Sequence, residues 1–254
     1  MKNGFTLAEV LITLGIIGVV AAITLPALVA NHQKQVLKTG LKKAYSRLNE
    51  AAARYHADNG EPLQPEDFNN NPAKINEFIQ TYYNAPVYCG VKGSFTAGNG
   101  CSNADNGFVN NHKCYNDIMG LFVARYGRDG QWVLPDGSFL MAYYNDSVGA
   151  IWTPGITLGS KVAFWMSVDV NGAKPPNRWG KDTFVFQLMP SGRFLPLGVV
   201  GTTWEEMGKN NVLITDEAEA DGNFCNINST SALNGITCTD NALYDENFWK
   251  QMKL

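Results

Sequence analysis

Val10 to Ala30 is a run of 21 residues without a charged side chain. As a helix rising ~1.5 Å per residue it covers about 30 Å, the thickness of a bilayer's hydrocarbon core. Glu9 stands at the head of this run, and a carboxylate in an apolar helix costs free energy to insert unless something offsets it. A secretory signal peptide accounts for Lys2, the apolar middle and the small residues of VVAA (19–22) and ALVA (27–30). A signal h-region is shorter, however, at roughly 7–15 residues, and carries no charge. A plain membrane anchor accounts for the length and leaves Glu9 unexplained.

The stretch KNGFTLAEVLITLGIIGVVAAITLPAL, residues 2–28, resembles the N-terminus of type IV prepilins and type II secretion pseudopilins. The matching features are a short basic leader ending in Gly4, then Phe5, Thr6 and Leu7, with Glu9 as the fifth residue after the expected cut and Pro26 well inside the run. The resemblance implies cleavage after Gly4 by an inner-membrane prepilin peptidase and N-methylation of Phe5. It also implies that Glu9 faces the N-terminal amine of a neighbouring subunit when helices pack into a filament. An opposite charge in a low-dielectric setting is the offset Glu9 requires. The implied layout is a leader (1–4), a membrane-spanning and filament-core helix (5–30), an amphipathic continuation (31–60) and an α+β head (61–254). The implied partners are other pilin or pseudopilin subunits, the peptidase and an inner-membrane assembly platform. The implied place is the inner membrane, single-pass, with the head outside the cytoplasm and the filament in the periplasm or on the cell surface.

Lys34, Lys38, Lys42, Lys43 and Arg47 follow the run, against Lys2 before it. By the positive-inside rule they place the large domain in the cytoplasm, whereas the resemblance places it outside. A net charge of −3 gives no push toward nucleic acid. A filament of the DNA-uptake kind would touch DNA through a local patch, and the sequence displays none for that purpose.

Leu37, Leu41, Ala44, Leu48, Ala51 and Tyr55 recur at steps of four and three, one apolar stripe on a helix that a head would pack against. Asp58-Asn59-Gly60 supplies its stop, and Gly40 and Pro26 are natural places for bending. Residues 61–130 read as mixed and loop-rich. Residues 72–83 suit a short helix with Ile75, Phe78, Ile79 and Tyr82 on one side, and 95–114 a long loop. The period then falls to two: a hairpin over 131–145 turning at Pro135-Asp136-Gly137, then strands at 148–152, 161–170 and 182–189, with Pro190-Ser191-Gly192 leading into RFLPL. A long helix on an antiparallel sheet is an α+β fold. Trp132, Tyr143, Tyr144, Trp152, Phe164 and Trp165 suit the core of that sheet.

Five cysteines fall at 89, 101, 114, 225 and 238, with no CxxC. The resemblance implies a Cys225–Cys238 disulfide, because such proteins often tie their C-terminal region with a loop of this kind. It would add about 3 kcal/mol for a ring of ~14 residues. Among Cys89, Cys101 and Cys114 the pairing stays open, and His112 beside Cys114 offers at most a metal corner. Asp169, Asn171, Asn177 and Asp182 place four oxygen ligands in one loop between strands, a set suited to calcium, although the spacing departs from an EF-hand loop. The competing reading is a turn whose Asp and Asn side chains cap their own backbone. GxSxG, HExxH, Walker and GxGxxG motifs are missing from the sequence. The expectation is a pilin-like structural subunit of a type IV pilus or type II secretion pseudopilus, a minor pilin or pseudopilin because a head of nearly 200 residues is large for a major pilin, not an enzyme and with no cofactor beyond that calcium. The rival expectation is a monomeric, membrane-anchored, β-rich binding or adhesive domain.

Overall fold

The structure, a computed structural model, describes residues 6–85, 87–91, 128–145, 162–202, 225 and 235–252. It divides into a unit of residues 1–36 and a unit of residues 37–253. Helix α1 runs from Leu7 to Asn59.

The first unit is the apolar part of α1. Its large side chains are exposed around the whole circumference, as at Leu11 (61%), Ile17 (62%) and Ile23 (72%). A helix apolar on every side needs lipid or other helices around it. Among the described residues α1 is the one helix long and apolar enough to cross a membrane. Helix continues on both sides of Pro26, although that residue has no N–H to give to the preceding turn.

In the second unit α1 becomes amphipathic along the expected stripe. Leu37, Leu41, Ala44, Leu48 and Ala51 are buried, together with Ala52, and Tyr55 packs partly buried beside them. At the helix end Gly60 takes a left-handed φ of +80° and donates its N–H to His56 O at 2.9 Å, the C-terminal stop that glycine allows.

Two short helices follow, α2 (Pro65–Phe68) and α3 (Pro72–Phe78), the latter running into a π turn over Ile79–Tyr83. Asn71 caps α3 by accepting from Ala73 N at 2.9 Å, with Pro72 at the first helical position. Ile75, Phe78 and Ile79 are buried as expected. The wider π turn moves the buried face by one position, so that Tyr83 and not Tyr82 is fully enclosed.

Among the described residues the sheet has six antiparallel strands in the order β1 (Val87–Gly90), β2 (Gly130–Val133), β3 (Phe139–Asn145), β4 (Ala163–Asp169), β5 (Thr183–Leu188) and β6 (Phe194–Pro196). The arrangement is α+β. The β2–β3 turn closes through Leu134 N to Ser138 O and Gly137 N to Leu134 O, both 2.9 Å, with Gly137 at φ +82°. Register pairs Leu140 with Val168 and Val168 with Phe184, so one face presents aliphatic and aromatic side chains to the core that holds Leu41 and Leu48. The alternate face is buried too: Tyr143, Trp165, Ser167 and Gln187 are all nearly inaccessible. Trp132, Tyr144 and Phe164 are core residues as expected.

Strand β1 and two C-terminal helices, α4 (Cys238–Tyr244) and α5 (Glu246–Gln251), go beyond the sequence expectation. Four to seven residues are too few for a periodicity to show. They are fixed by tertiary contacts: Trp249 packs against Phe184 at 6.2 Å between rings, and Val185 N donates to Thr239 Oγ1 at 2.9 Å. The 95–114 loop, the 148–152 strand, Trp152 and His112 lie outside the described residues.

Candidate functional site

The sequence points first to the start of α1. Gly4 and Phe5 lie outside the described residues, which begin at Thr6. Thr6 is the N-cap of α1 and Glu9 is the third helical residue. Glu9 Oε2 accepts from Thr6 N at 2.8 Å and from Thr6 Oγ1 at 2.9 Å, and Glu9 N donates to Thr6 Oγ1 at 3.3 Å. This is a capping box, in which side chains at both positions satisfy helix-end amides that otherwise have no partner. A carboxylate there also meets the positive end of the helix dipole. The sequence reading gave Glu9 a role only between subunits and took Thr6 as part of the motif and not as a cap, although T-x-x-E before an apolar run is the signature of such a cap. Further along, Thr13 and Thr24 donate their hydroxyls to Glu9 O and Val20 O, each at 2.9 Å. The two side-chain hydroxyls of the run are thereby satisfied within the helix, as an apolar surrounding requires.

The basic residues after the run divide into two kinds. Lys43 Nζ pairs with Asp136 Oδ2 at 2.7 Å on the β2–β3 turn. Arg47 donates from Nη2 to Tyr83 O at 3.1 Å and lies 4.6 Å over the Tyr83 ring. Partial burial of Asp136 works against its charge, yet hydrogen bonds from Lys43 and Ser138 outweigh that and hold its pKa at about 2. Burial pushes the Tyr83 phenol up to about 12. Lys43 and Arg47 are therefore docking residues, which lessens their weight as topology signals. Gly40 belongs to the same contact: a Cβ there would stand 3.0 Å from Val170 Cβ. Its role in the structure is close approach of helix and sheet.

The 169–182 loop has both carboxylates engaged with backbone. Asp169 Oδ1 accepts from Asn171 N at 3.1 Å and Gly172 N at 2.8 Å, and Asp182 takes Asn177 N and Arg178 N at 2.6 Å each. Asp169 and Asp182 are fully buried. The Asn171 Oδ1 atom is buried without a hydrogen-bond partner. With its nitrogen inward, the Asn177 amide donates to Gly172 O at 3.0 Å and Lys174 O at 2.8 Å. Among the described residues no three His, Cys, Asp or Glu side chains gather as a metal cluster.

Cys225 and Cys238 form the expected disulfide, with Cα atoms 4.8 Å apart. Cys89 is disulfide-bonded as well, and the two other cysteines, Cys101 and Cys114, are outside the described residues.

No curated protein and no solved structure matches the chain. Residues 27–88 match the model described as a family of unknown function (DUF6613). That match takes in the amphipathic part of α1 together with α2, α3 and the π turn. Residues 1–25 match the model of the prokaryotic N-terminal methylation motif. The chain thus opens with the prepilin motif of type IV pilins and pseudopilins, a family of structural subunits.

Proposed function

We propose that this protein is a minor pilin or pseudopilin, anchored in the inner membrane by the apolar part of α1 with its head outside the cytoplasm. In this reading a prepilin peptidase cuts after Gly4, Phe5 is N-methylated, and an assembly platform adds the subunit to a type IV pilus or type II secretion pseudopilus. The observation that carries the proposal is the methylation motif heading an apolar helix whose side chains are exposed all round. Such a surface is stable in lipid before assembly and among other helices afterwards. Glu9 would leave its own cap, or share it, to meet the neighbour's amine. A calcium ion held by Asp169, Asn171, Asn177 and Asp182 belongs to the same reading, supported by the orphaned Asn171 oxygen.

The capping box also gives Glu9 a use within one chain, and this favours a second reading, the monomeric membrane anchor. Glu9→Gln separates the two, because glutamine at the third helical position preserves a capping box while removing the charge. Intact mass spectrometry of membrane fractions first checks processing: wild type and Glu9→Gln should both be cut after Gly4, and Gly4→Val should keep its leader. Shearing of assembled filaments then reads incorporation at equal membrane abundance. In the subunit reading Glu9→Gln and Glu9→Ala both fail to enter filaments. Normal entry of Glu9→Gln would leave Glu9 as a helix cap alone, and a wild-type chain retaining Met1 would end the prepilin reading.

A further inference from the structure

Where the amphipathic part of α1 meets the β2–β3 turn there is a small cavity, lined by Lys43, Arg47, Tyr83, Asp136 and Ser138 against an apolar wall that includes Val168. All of these residues belong to the unit of residues 37–253. A water-sized group finds about 20 Å³ there for its centre, and about 10–15 Å³ suffices for one water. The space therefore takes one small atom or group and not a sugar ring or a nucleotide.

The hydrogen bonds around this space use up its acceptor and leave donors over. Asp136 accepts from Lys43 Nζ, from Ser138 N and from Ser138 Oγ, which commits the serine's only proton. Lys43 spends one of its three N–H groups in this way, and Arg47 spends one of five on Tyr83 O. Neither makes a further hydrogen bond among the described residues. Tyr83 is only 3% exposed, and its hydroxyl has no hydrogen-bond partner. A buried donor left in that condition costs free energy that a fitting acceptor restores. The charges of Arg47 and Asp136 both act on this phenol, so it stands among the charged groups of the cavity. Two cations against one carboxylate leave the site one positive charge in excess. A water would accept from Tyr83 and leave that charge unmatched, whereas an anion answers both.

We propose that the cavity binds one chloride ion, held by Lys43, Arg47 and the Tyr83 hydroxyl, and that the ion fastens α1 to the β2–β3 turn. A monatomic anion fits the space and accepts from all three donors at once. The site lies within one chain and does not depend on entry into a filament.

The test titrates chloride into the full chain in nonionic detergent micelles, with gluconate holding ionic strength constant, and reads broadening of the chloride NMR line. Wild type should broaden the line saturably, and bromide should reverse the broadening. Tyr83→Phe should bind about tenfold more weakly, the worth of one hydrogen bond to a charged acceptor. Lys43→Gln should weaken binding about fourfold and Asp136→Asn should tighten it about fourfold, because each shifts the site by one charge at ~5 Å under water-like screening. The tightening separates an anion site from a merely structural ion pair, whose loss improves nothing. Melting in gluconate checks that each variant is folded, and added chloride should raise the melting temperature of wild type more than that of Tyr83→Phe. Broadening that never saturates would overturn the proposal and leave the cavity to water. Equal affinity in folded Tyr83→Phe, or weaker binding in folded Asp136→Asn, would overturn it too. Formate displacing chloride far more readily than bromide does would assign the cavity to a carboxylate and overturn the chloride assignment.

Discussion

Replacing Gly40 by alanine sets two effects of opposite sign against each other. On an open helix surface the change stabilises by roughly 1 kcal/mol, because glycine loses more backbone freedom than alanine when it becomes helical. At this position the new methyl would stand 3.0 Å from Val170 Cβ and 3.3 Å from Val170 Cγ2, inside the 3.5–4.0 Å of a relaxed carbon contact. Overfilling a packed contact costs about 1–3 kcal/mol. Val170 has little room to yield, since its N–H is bonded to Asp182 O at 2.9 Å just beyond β4. Setting a mid-range cost against the helical gain leaves a net loss of about 1 kcal/mol. Urea denaturation of the full chain in detergent micelles, followed by tryptophan fluorescence, should show a lower midpoint for Gly40→Ala with an unchanged slope. In a Val170→Gly background the same change should cost at least 0.5 kcal/mol less, roughly the smallest coupling such a cycle resolves. A higher midpoint for Gly40→Ala alone would refute the close-approach argument and return Gly40 to a bend or an accident.

Tyr83→Phe removes a buried hydroxyl without a partner and keeps the ring under Arg47, so stability in chloride-free buffer should hold or rise by up to about 1 kcal/mol, read as an unchanged or higher melting temperature; a clear fall would refute this. Asp136 has its folded pKa depressed to about 2 from 3.8, so its contribution is full above pH 3.8 and is lost as pH falls toward 2. Its side chain is 37% exposed, and after solvent screening we expect about 1 kcal/mol, seen as a flatter acid limb of the stability curve in Asp136→Asn. If the 169–182 loop holds calcium, saturation at a hundred times the Kd adds roughly 2.7 kcal/mol and raises Tm, and Asp169→Ala erases the rise. A melt unmoved by Ca2+ and by chelator would leave Asp169 and Asp182 as backbone caps.

Features written in contiguous residues were legible in the sequence. An uncharged run of 21 residues specifies its own helix and its own surroundings, and a 3–4 spacing from Leu37 to Tyr55 specifies which side of the next turns is buried. The hairpin at Pro135-Asp136-Gly137 and strands β4 and β5 were readable for the same reason, since turn chemistry and period two are local. The Thr6–Glu9 cap was equally local and was there to be read. What tertiary structure alone decided are relations between residues far apart in the chain. Gly40 is a glycine of close approach because Val170, 130 positions away, folds against it. Lys43 and Arg47 are docking residues because Asp136 and Tyr83 are brought to them. Strand β1 and helices α4 and α5 are too short to hold a conformation alone, and they persist because the core supplies the free energy their own few residues lack.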